Sequence, residues 1–203
     1  RSFKVESQNY ISQNLNLYGN FGMSTILIQT AFSSSRGSGR SNFEKFRDAR
    51  KIIANRLAQN SNFTSLEQNV DGYPVGFGKN QQGVLIKSFL SAYSGVNPEN
   101  ISLNPVRNTP LPNWNIKFTG LTGLKSVAKI FKRLSLNHAY RASYTLTNFQ
   151  SNFDYNPLSP EQTDNLGNLI PESLFSNINL VEQFNPLIRL DVELINSFKF
   201  LAE

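Results

Sequence analysis

The chain has 203 residues, 39% of them hydrophobic, which is enough to bury an ordinary core in one domain or in two small ones. Charged residues are scarce at 17% and aromatic residues are abundant at 12%, a composition that is typical of β-structure. The absence of cysteine excludes a disulfide framework, a zinc knuckle and a cysteine nucleophile, and the net charge of +6 comes without the basic patch and motif that would predict a nucleic-acid partner.

The N-terminal part predicts two strands followed by a partly helical insertion. Residues 1–32 are interpreted as a hairpin of barrel strands, with a tight turn at 12–14 and a bulge near 22–25, where the apolar positions change parity. Residues 33–112 are interpreted as an extracellular insertion with two helices. Ser41 and Glu44 form a capping box for the first helix, and Gly95 ends the second.

The C-terminal part predicts two further hairpins. Residues 113–150 form a hairpin with a short helical periplasmic turn, and 151–172 form an extracellular loop rich in Pro, Asn and Asp. Residues 173–203 form a hairpin with a strand around 175–181, a tight turn near 182–186 and a last strand. Because that strand is still running at Glu203, we expect the sequence to be an internal piece of a longer protein.

Strict alternation of apolar and polar residues over 134–149 carries the fold prediction. A 16-residue strand spans roughly 50 Å, and at a barrel tilt of about 40° it climbs roughly 40 Å, enough for a bilayer and its interfaces. Short and long connections also alternate, as in outer-membrane barrels. The predicted fold class is an all-β antiparallel transmembrane β-barrel wall segment, with about six strands of a much larger barrel. The alternative is a soluble all-β cell-surface adhesin or binding domain.

The two parities predict two faces of the wall. The polar parity is expected to line a pore with Ser135, Asn137, Arg141, Ser143, Thr145, Arg189, Asp191 and Glu193. The apolar parity is expected to face lipid with Leu134, Leu136, Tyr140, Tyr144, Leu146, Ile188, Leu190, Val192, Leu194 and Phe198. His138, the single histidine, lies among tyrosines and is predicted to belong to an interfacial aromatic belt.

No motif predicts an enzyme. The stretch GFGKNQQG lacks the spacing of a phosphate-binding loop, DYNPLSPEQTDN lacks the spacing of a calcium loop, and no GxSxG elbow occurs. Without a nucleophile, a base and an orienting group in one pattern, we predict no catalytic, cofactor-binding or metal-binding residue.

Four blocks of the sequence resemble one known family: DGYPVGFGKNQQGVLIKSFLSAYSG, PLPNWNIKFTGLTGL, KIFKRLSLNHAYRASYTLTNFQSN and NLVEQFNPLIRLDVEL. Through them the chain resembles the SprA/Sov family, giant outer-membrane proteins of the type IX secretion system in gliding and related Gram-negative bacteria. The resemblance covers the chain from about Ile11 onward. Its most specific elements are residues 110–114 running into 115–119, the SFLSAYSG helix end and EQFNPLI.

The resemblance implies a single large barrel that acts as a protein-conducting translocon in the outer membrane at the cell surface, linked to gliding motility. Its implied partners are secreted cargo proteins with a C-terminal sorting domain, a PorV-like shuttle barrel, a periplasmic plug protein and outer-membrane lipid. The residues themselves, without a binding motif or a basic patch, predict no cofactor and no nucleic-acid partner.

Overall fold

The computed structural model describes residues 17–28, 41–61, 67–104 and 109–203, together with the backbone of strands at 3–6 and 9–12. The boundary predicted at residue 33 and the turn residues 13 and 14 lie outside these ranges. The chain divides into two compact units. Unit 1 comprises Arg1–Gly22, Leu27–Thr109 and Thr145–Asn179, and unit 2 comprises Met23–Ile26, Pro110–Tyr144 and Leu180–Glu203.

The first strands pair differently from the expectation. Strand β1 (Phe3–Glu6) pairs antiparallel with β2 (Asn9–Ser12), and β3 (Tyr18–Ser24) pairs with the long strand β5 described below. The predicted hairpin turn at 12–14 lies mostly outside the described residues and stays a prediction; the pairing that the structure describes for β3 is with β5. Alternation alone does not determine which strand is the partner. In this structure β3 pairs with the long strand, and next to β3 the Ser151 amide donates to the Leu17 carbonyl at 2.8 Å.

Two helices of unit 1 confirm the capping signals in the sequence. Helix α1 (Asn42–Asn60) begins after Ser41, whose hydroxyl accepts from the Glu44 amide while the Glu44 carboxylate accepts from the Ser41 amide. Helix α2 (Gln82–Ser94) ends at Gly95, whose φ of 74° is the left-handed conformation that glycine adopts without strain. Ala54 of α1 and Val84 of α2 pack with Phe77 in one core cluster.

The loop at 163–170 is bound to the segment that precedes α2. The Gly78 amide donates to Asn168 Oδ1 at 3.0 Å, and a Cβ at Gly78 would overlap that oxygen. Asp164 Oδ1 accepts from the Leu166 and Asn168 amides, each at 2.8 Å. Partial burial alone would raise the pKa of Asp164, but the hydrogen bonds from Asn168 and Leu166 outweigh it and hold that pKa below its usual value.

The hairpin with a helical turn is confirmed in unit 2. Strand β4 (Trp114–Phe118) is followed by a 3-10 turn (Gly120–Gly123) and the short helix α3 (Lys125–Ala128), and the chain returns as β5 (Phe131–Ser151). The two strands are antiparallel, with Trp114 opposite Tyr140. At 21 residues β5 is longer than the alternating stretch that predicted it.

The hairpin reversal predicted at residues 182–186 is wrong, although Asn185 and Pro186 do form a local turn. Strand β6 (Ser173–Phe184) and strand β7 (Arg189–Leu194) both pair with β5, one after the other along its length. Between them the Asn185 amide donates to the Ala139 carbonyl, and the Ala139 amide donates to the Pro186 carbonyl. The chain therefore does not reverse there. It reverses at Asn196 and Ser197, after which β8 (Lys199–Ala202) pairs antiparallel with β7.

Strands β3 to β8 form one antiparallel six-stranded sheet in which β5 pairs with four of the others. Within the described residues the sheet is open and ends at β8. The predominance of antiparallel sheet agrees with the all-β antiparallel part of the predicted fold class. None of the described helices has the length and apolar character needed to cross a membrane.

Candidate functional site: a two-faced sheet in unit 2

A row of apolar side chains runs across the four strands of unit 2. Residues directly opposite each other in an antiparallel pair point to the same face of the sheet. Leu136 of β5 lies opposite Phe118 of β4 on one side and opposite Leu190 of β7 on the other, and Leu190 lies opposite Ala202 of β8. One row of this face is therefore apolar on every strand.

The neighbouring rows on the same face are apolar or aromatic as well. Leu134 lies opposite Val192, which lies opposite Phe200, and at the far end Trp114 lies opposite Tyr140. We call this set the apolar face. It comprises Trp114, Ile116, Phe118, Phe131, Leu134, Leu136, His138, Tyr140, Leu190, Val192, Leu194, Phe200 and Ala202.

The apolar face is accessible from outside the chain over most of its area. Ile116, Phe118 and Phe200 are 52%, 48% and 54% exposed, and the leucines between them are half-buried. Soluble monomers rarely leave a contiguous apolar surface of this kind in contact with water, so such a surface marks contact with lipid or with another protein.

The opposite face of the same strands is polar and charged. Ser135 lies opposite Asp191, and Arg133 lies opposite Glu193, which lies opposite Lys199. Leu201, opposite Asp191, is its one large apolar member. We call this set the polar face. It comprises Asn115, Lys117, Arg133, Ser135, Asn137, Ala139, Arg189, Asp191, Glu193, Lys199 and Leu201.

The acidic groups of the polar face are engaged by neighbouring side chains. Asp191 Oδ2 accepts from Ser135 Oγ at 3.3 Å and from Asn137 Nδ2 at 3.1 Å, while Arg189 Nε donates to Asp191 Oδ1 at 3.2 Å. Glu193 forms an ion pair with Lys132 at 2.8 Å. Both carboxylates are neutralised locally, and because Lys117, Arg133 and Lys199 add further positive charge, the polar face carries net positive charge.

Aromatic rings gather where the exposed part of the apolar face ends. Trp114 stacks on Tyr140 with centroids 4.4 Å apart, and Phe184 lies 5.0 Å from the same tyrosine. Tyr140 is completely buried, and its hydroxyl donates to Glu182 Oε1 at 2.7 Å. His138 Nδ1 lies 2.6 Å from the Leu187 carbonyl, so this nitrogen carries the proton.

The structure divides the predicted lipid-facing residues into two groups. Leu134, Leu136, Leu190, Val192 and Leu194 do share the accessible apolar face. For Tyr140, Tyr144 and Leu146 the expected lipid contact is wrong, because the protein itself buries them completely. Ile188 and Phe198 are exposed but lie in the bend after β6 and in the turn before β8. Alternation predicts that one face of the strand is shielded from water, but it does not tell whether lipid or other parts of the protein shield it.

The predicted pore-lining residues divide in the same way. Asn137, Arg189, Asp191 and Glu193 lie together on the polar face. Ser135 also has this orientation, but it is completely buried against Asp191 and lines no open surface. Arg141, Ser143 and Thr145 lie further along β5, outside the paired rows of β7, with Arg141 exposed and the other two half-buried.

Sequence reasoning missed part of both faces. Phe118, Lys117 and Arg133 follow from the alternation of β4 and β5, which was visible in the sequence. The alternation after residue 188 predicts the faces of Lys199 and Phe200 but not the reversal at Asn196 and Ser197, which makes them part of a separate strand. An Asn-Ser pair is a local turn signal that could have located this reversal.

No protein-family model matches this chain, and a comparison with curated proteins finds no match either. In the described part of the chain, no group of three or more His, Asp or Glu side chains is placed to hold a metal ion.

Proposed function

We propose that this chain forms part of the wall of an outer-membrane protein-conducting channel, the translocon of the type IX secretion system, which exports folded proteins and is linked to gliding motility. The observation that carries the proposal is the two-faced sheet of unit 2, apolar and accessible on one side and polar on the other. A membrane barrel needs this arrangement, because lipid contacts one side of its wall and water the other.

The dimensions of the apolar face support a membrane position. It extends along β5 from Phe131 to Tyr140, which corresponds to about 30 Å at about 3.3 Å per residue. At a strand tilt of about 40° it covers roughly 23 Å of bilayer, close to the apolar band of about 25 Å on outer-membrane barrels. The crossing segment is thus the first half of β5 and not the whole alternating stretch.

Aromatic residues at both ends of this band also support the proposal. The half-buried Trp114 and Phe184 lie around the buried Tyr140 at one end, while Phe131 and the exposed Phe198 lie at the other. Outer-membrane barrels carry aromatic girdles at both interfaces, where amphipathic rings meet the headgroups. The end with the short turns, at Phe198, would be periplasmic.

The polar face suits the lining of a conduit for folded proteins. Its carboxylates are already paired, and its other polar members are short amides or long cations. Such a surface presents no large apolar patch to a passing protein. The expected partners, by the resemblance to the SprA/Sov family, are cargo proteins with a C-terminal sorting domain, a PorV-like shuttle barrel and a periplasmic plug protein.

Site-specific photo-cross-linking tests the proposal. A photoreactive amino acid is placed in the full-length protein at Asn137 on the polar face or at Leu136 on the apolar face, in cells that are secreting cargo. Cross-links to cargo from Asn137 and to lipid from Leu136 are expected. If cargo is captured equally from both positions, or from neither, this chain is not the wall of the conduit.

Expression of the 203-residue chain separates this proposal from a soluble adhesin. A wall segment is expected to aggregate alone and to become protease-resistant only within the full-length protein in detergent. A soluble monomer that unfolds cooperatively would favour the adhesin instead.

A further inference from the structure

Helix α2 of unit 1 carries a lysine inside the protein. Lys87 is only 2% exposed, and among the described residues its Nζ has neither a hydrogen-bond partner nor an ion-pair partner. The adjacent Ser88 is completely buried, and its hydroxyl also lacks a hydrogen-bond partner within that part of the chain. Buried polar groups in native proteins are nearly always paired, so an unpaired amine beside an unpaired hydroxyl calls for an explanation.

Burial lowers the pKa of Lys87 from its ordinary 10.5 to about 7, because no opposite charge offsets the loss of water around the ammonium. An ammonium in such a place is strongly stabilised by an anion that reaches it. A carboxylate accepting a charge-assisted hydrogen bond is the common partner of buried lysine.

A pocket of about 260 Å³ lies beside this lysine. Leu57, Ile86 and Leu103 give it an apolar wall, and Lys87 and the exposed Glu172 are its charged members. Pockets for drug-sized ligands have volumes of about 300 to 1,000 Å³, so this one suits a smaller molecule.

We propose that this pocket binds a small monocarboxylate, toward which the buried Lys87 side chain turns its ammonium on binding, and whose aliphatic chain lies against Leu57, Ile86 and Leu103. We infer a single charge because the exposed Glu172 adds a negative charge to the lining, which disfavours a doubly charged ligand such as phosphate, sulfate or a dicarboxylate. We infer an aliphatic chain because the burial of apolar surface against the apolar wall is favourable. This site is independent of the conduit proposed above.

The wall of the pocket is held in place before any ligand binds. Gln82 Nε2 donates to the Ser173 carbonyl at 2.8 Å, and Gln82 Oε1 accepts from the Phe175 amide at 3.0 Å. Gln81 Oε1 accepts from the Val84 amide at 3.0 Å and thereby caps α2. These bonds fix the start of the helix relative to the segment that carries Glu172, so binding requires little ordering of the backbone.

Calorimetric titration of the full-length protein in detergent tests the site, with hexanoate as the probe and hexanamide as its uncharged counterpart. Hexanoate is expected to bind saturably, and hexanamide at least tenfold more weakly. The Lys87→Met variant is expected to weaken hexanoate at least tenfold, whereas Lys45→Met, which removes an exposed lysine of α1, leaves it unchanged.

Absence of saturable hexanoate binding overturns the proposal, as does equal binding of hexanamide by the unaltered protein. Hexanoate binding that survives in Lys87→Met also overturns it. The hexanamide comparison needs no variant, so the test does not depend on the folding of Lys87→Met.

Discussion

Leu136 lies directly opposite Leu190 across the pair of β5 and β7, and one position along each strand Ser135 lies opposite Asp191. The change from apolar to polar therefore occurs between adjacent residues on both strands at once. A single-residue difference in position should then produce a large difference in the effect of a substitution, and the sheet offers a matched pair for this comparison.

Phe200 and Leu201 are that pair. Both belong to β8, each is 54% exposed, and they point to opposite faces. If the apolar face contacts lipid, Phe200→Arg should destabilise the protein by about 2 to 4 kcal/mol, the cost of a basic residue near the bilayer midplane. Leu201→Arg should cost much less, since it points to the polar side. Urea unfolding in lipid vesicles measures both, and equal costs would contradict the assignment of faces.

Tyr140→Phe should weaken the aromatic end of the apolar face. The Tyr140 hydroxyl donates to the Glu182 carboxylate at 2.7 Å, and hydrogen bonds to charged groups contribute about 1.5 to 3 kcal/mol. We expect the free energy of unfolding to fall by roughly that amount. Tyr18→Phe serves as control, because Tyr18 is largely exposed. A loss no greater than in the control would show that this bond contributes little.

Asn168→Ala should loosen the loop at 163–170. The buried Gly78 amide would lose its acceptor, at a cost of about 1 to 3 kcal/mol. Asn156, which accepts from the Leu158 amide in an exposed turn, provides the matched control as Asn156→Ala. Hydrogen exchange of peptides covering 163–170 is the measurement. Exchange that accelerates equally in both variants would contradict a special role for Asn168.

The same loop should respond to acid through Asp164. The pKa of Asp164 is lower in the folded protein, so its carboxylate stabilises the fold above the ordinary pKa of aspartate. That stability is lost as the pH falls through the lowered value. Hydrogen exchange of peptides covering 163–170 should accelerate with acid in the unaltered protein, after correction for intrinsic rates, and Asp164→Asn should remove the dependence.

Lys87 should make unit 1 more stable as the pH rises. Between about 7 and 10.5 the unfolded chain binds a proton at Lys87 that the folded protein does not, so stability increases with pH in that window. Across this window the free energy of unfolding rises by up to about 5 kcal/mol, and none of that gain is present below pH 7. Lys87→Met should therefore be more stable than the unaltered protein near pH 7, with a smaller gain at pH 10. Hydrogen exchange of peptides from α2 measures this, and a gain that does not depend on pH would contradict it.

Local signals in the sequence predicted most elements but not their partners. The capping box at Ser41 and Glu44, the glycine stop at Gly95 and the alternation along β5 are contained in short stretches, and all three are present. The pairing of β3 with β5 and the continuous path of β6 into β7 depend on contacts between distant segments. No local pattern encodes such contacts.

The candidate site was likewise predictable where it depends on local patterns and not where it depends on contacts between distant segments. Alternation assigned Leu190 and Asp191 to opposite faces, and the strand register agrees. It did not reveal that Tyr144 and Leu146 are covered by the protein itself, because an apolar position has the same residue types under lipid and in a core. The buried Lys87 was likewise hidden within an ordinary amphipathic pattern.

Cysteine accessibility along β7 tests the central claim most directly. These 203 residues contain no cysteine, and single cysteines are introduced at positions 190, 191, 192 and 193 of the full-length protein, with any cysteine elsewhere replaced, and labelled in membranes. We expect alternation: labels at 190 and 192 are quenched by a lipid-soluble quencher, and cysteines at 191 and 193 react with a water-soluble maleimide. Equal reaction of all four positions with the water-soluble maleimide, with no quenching from lipid, would contradict a membrane wall.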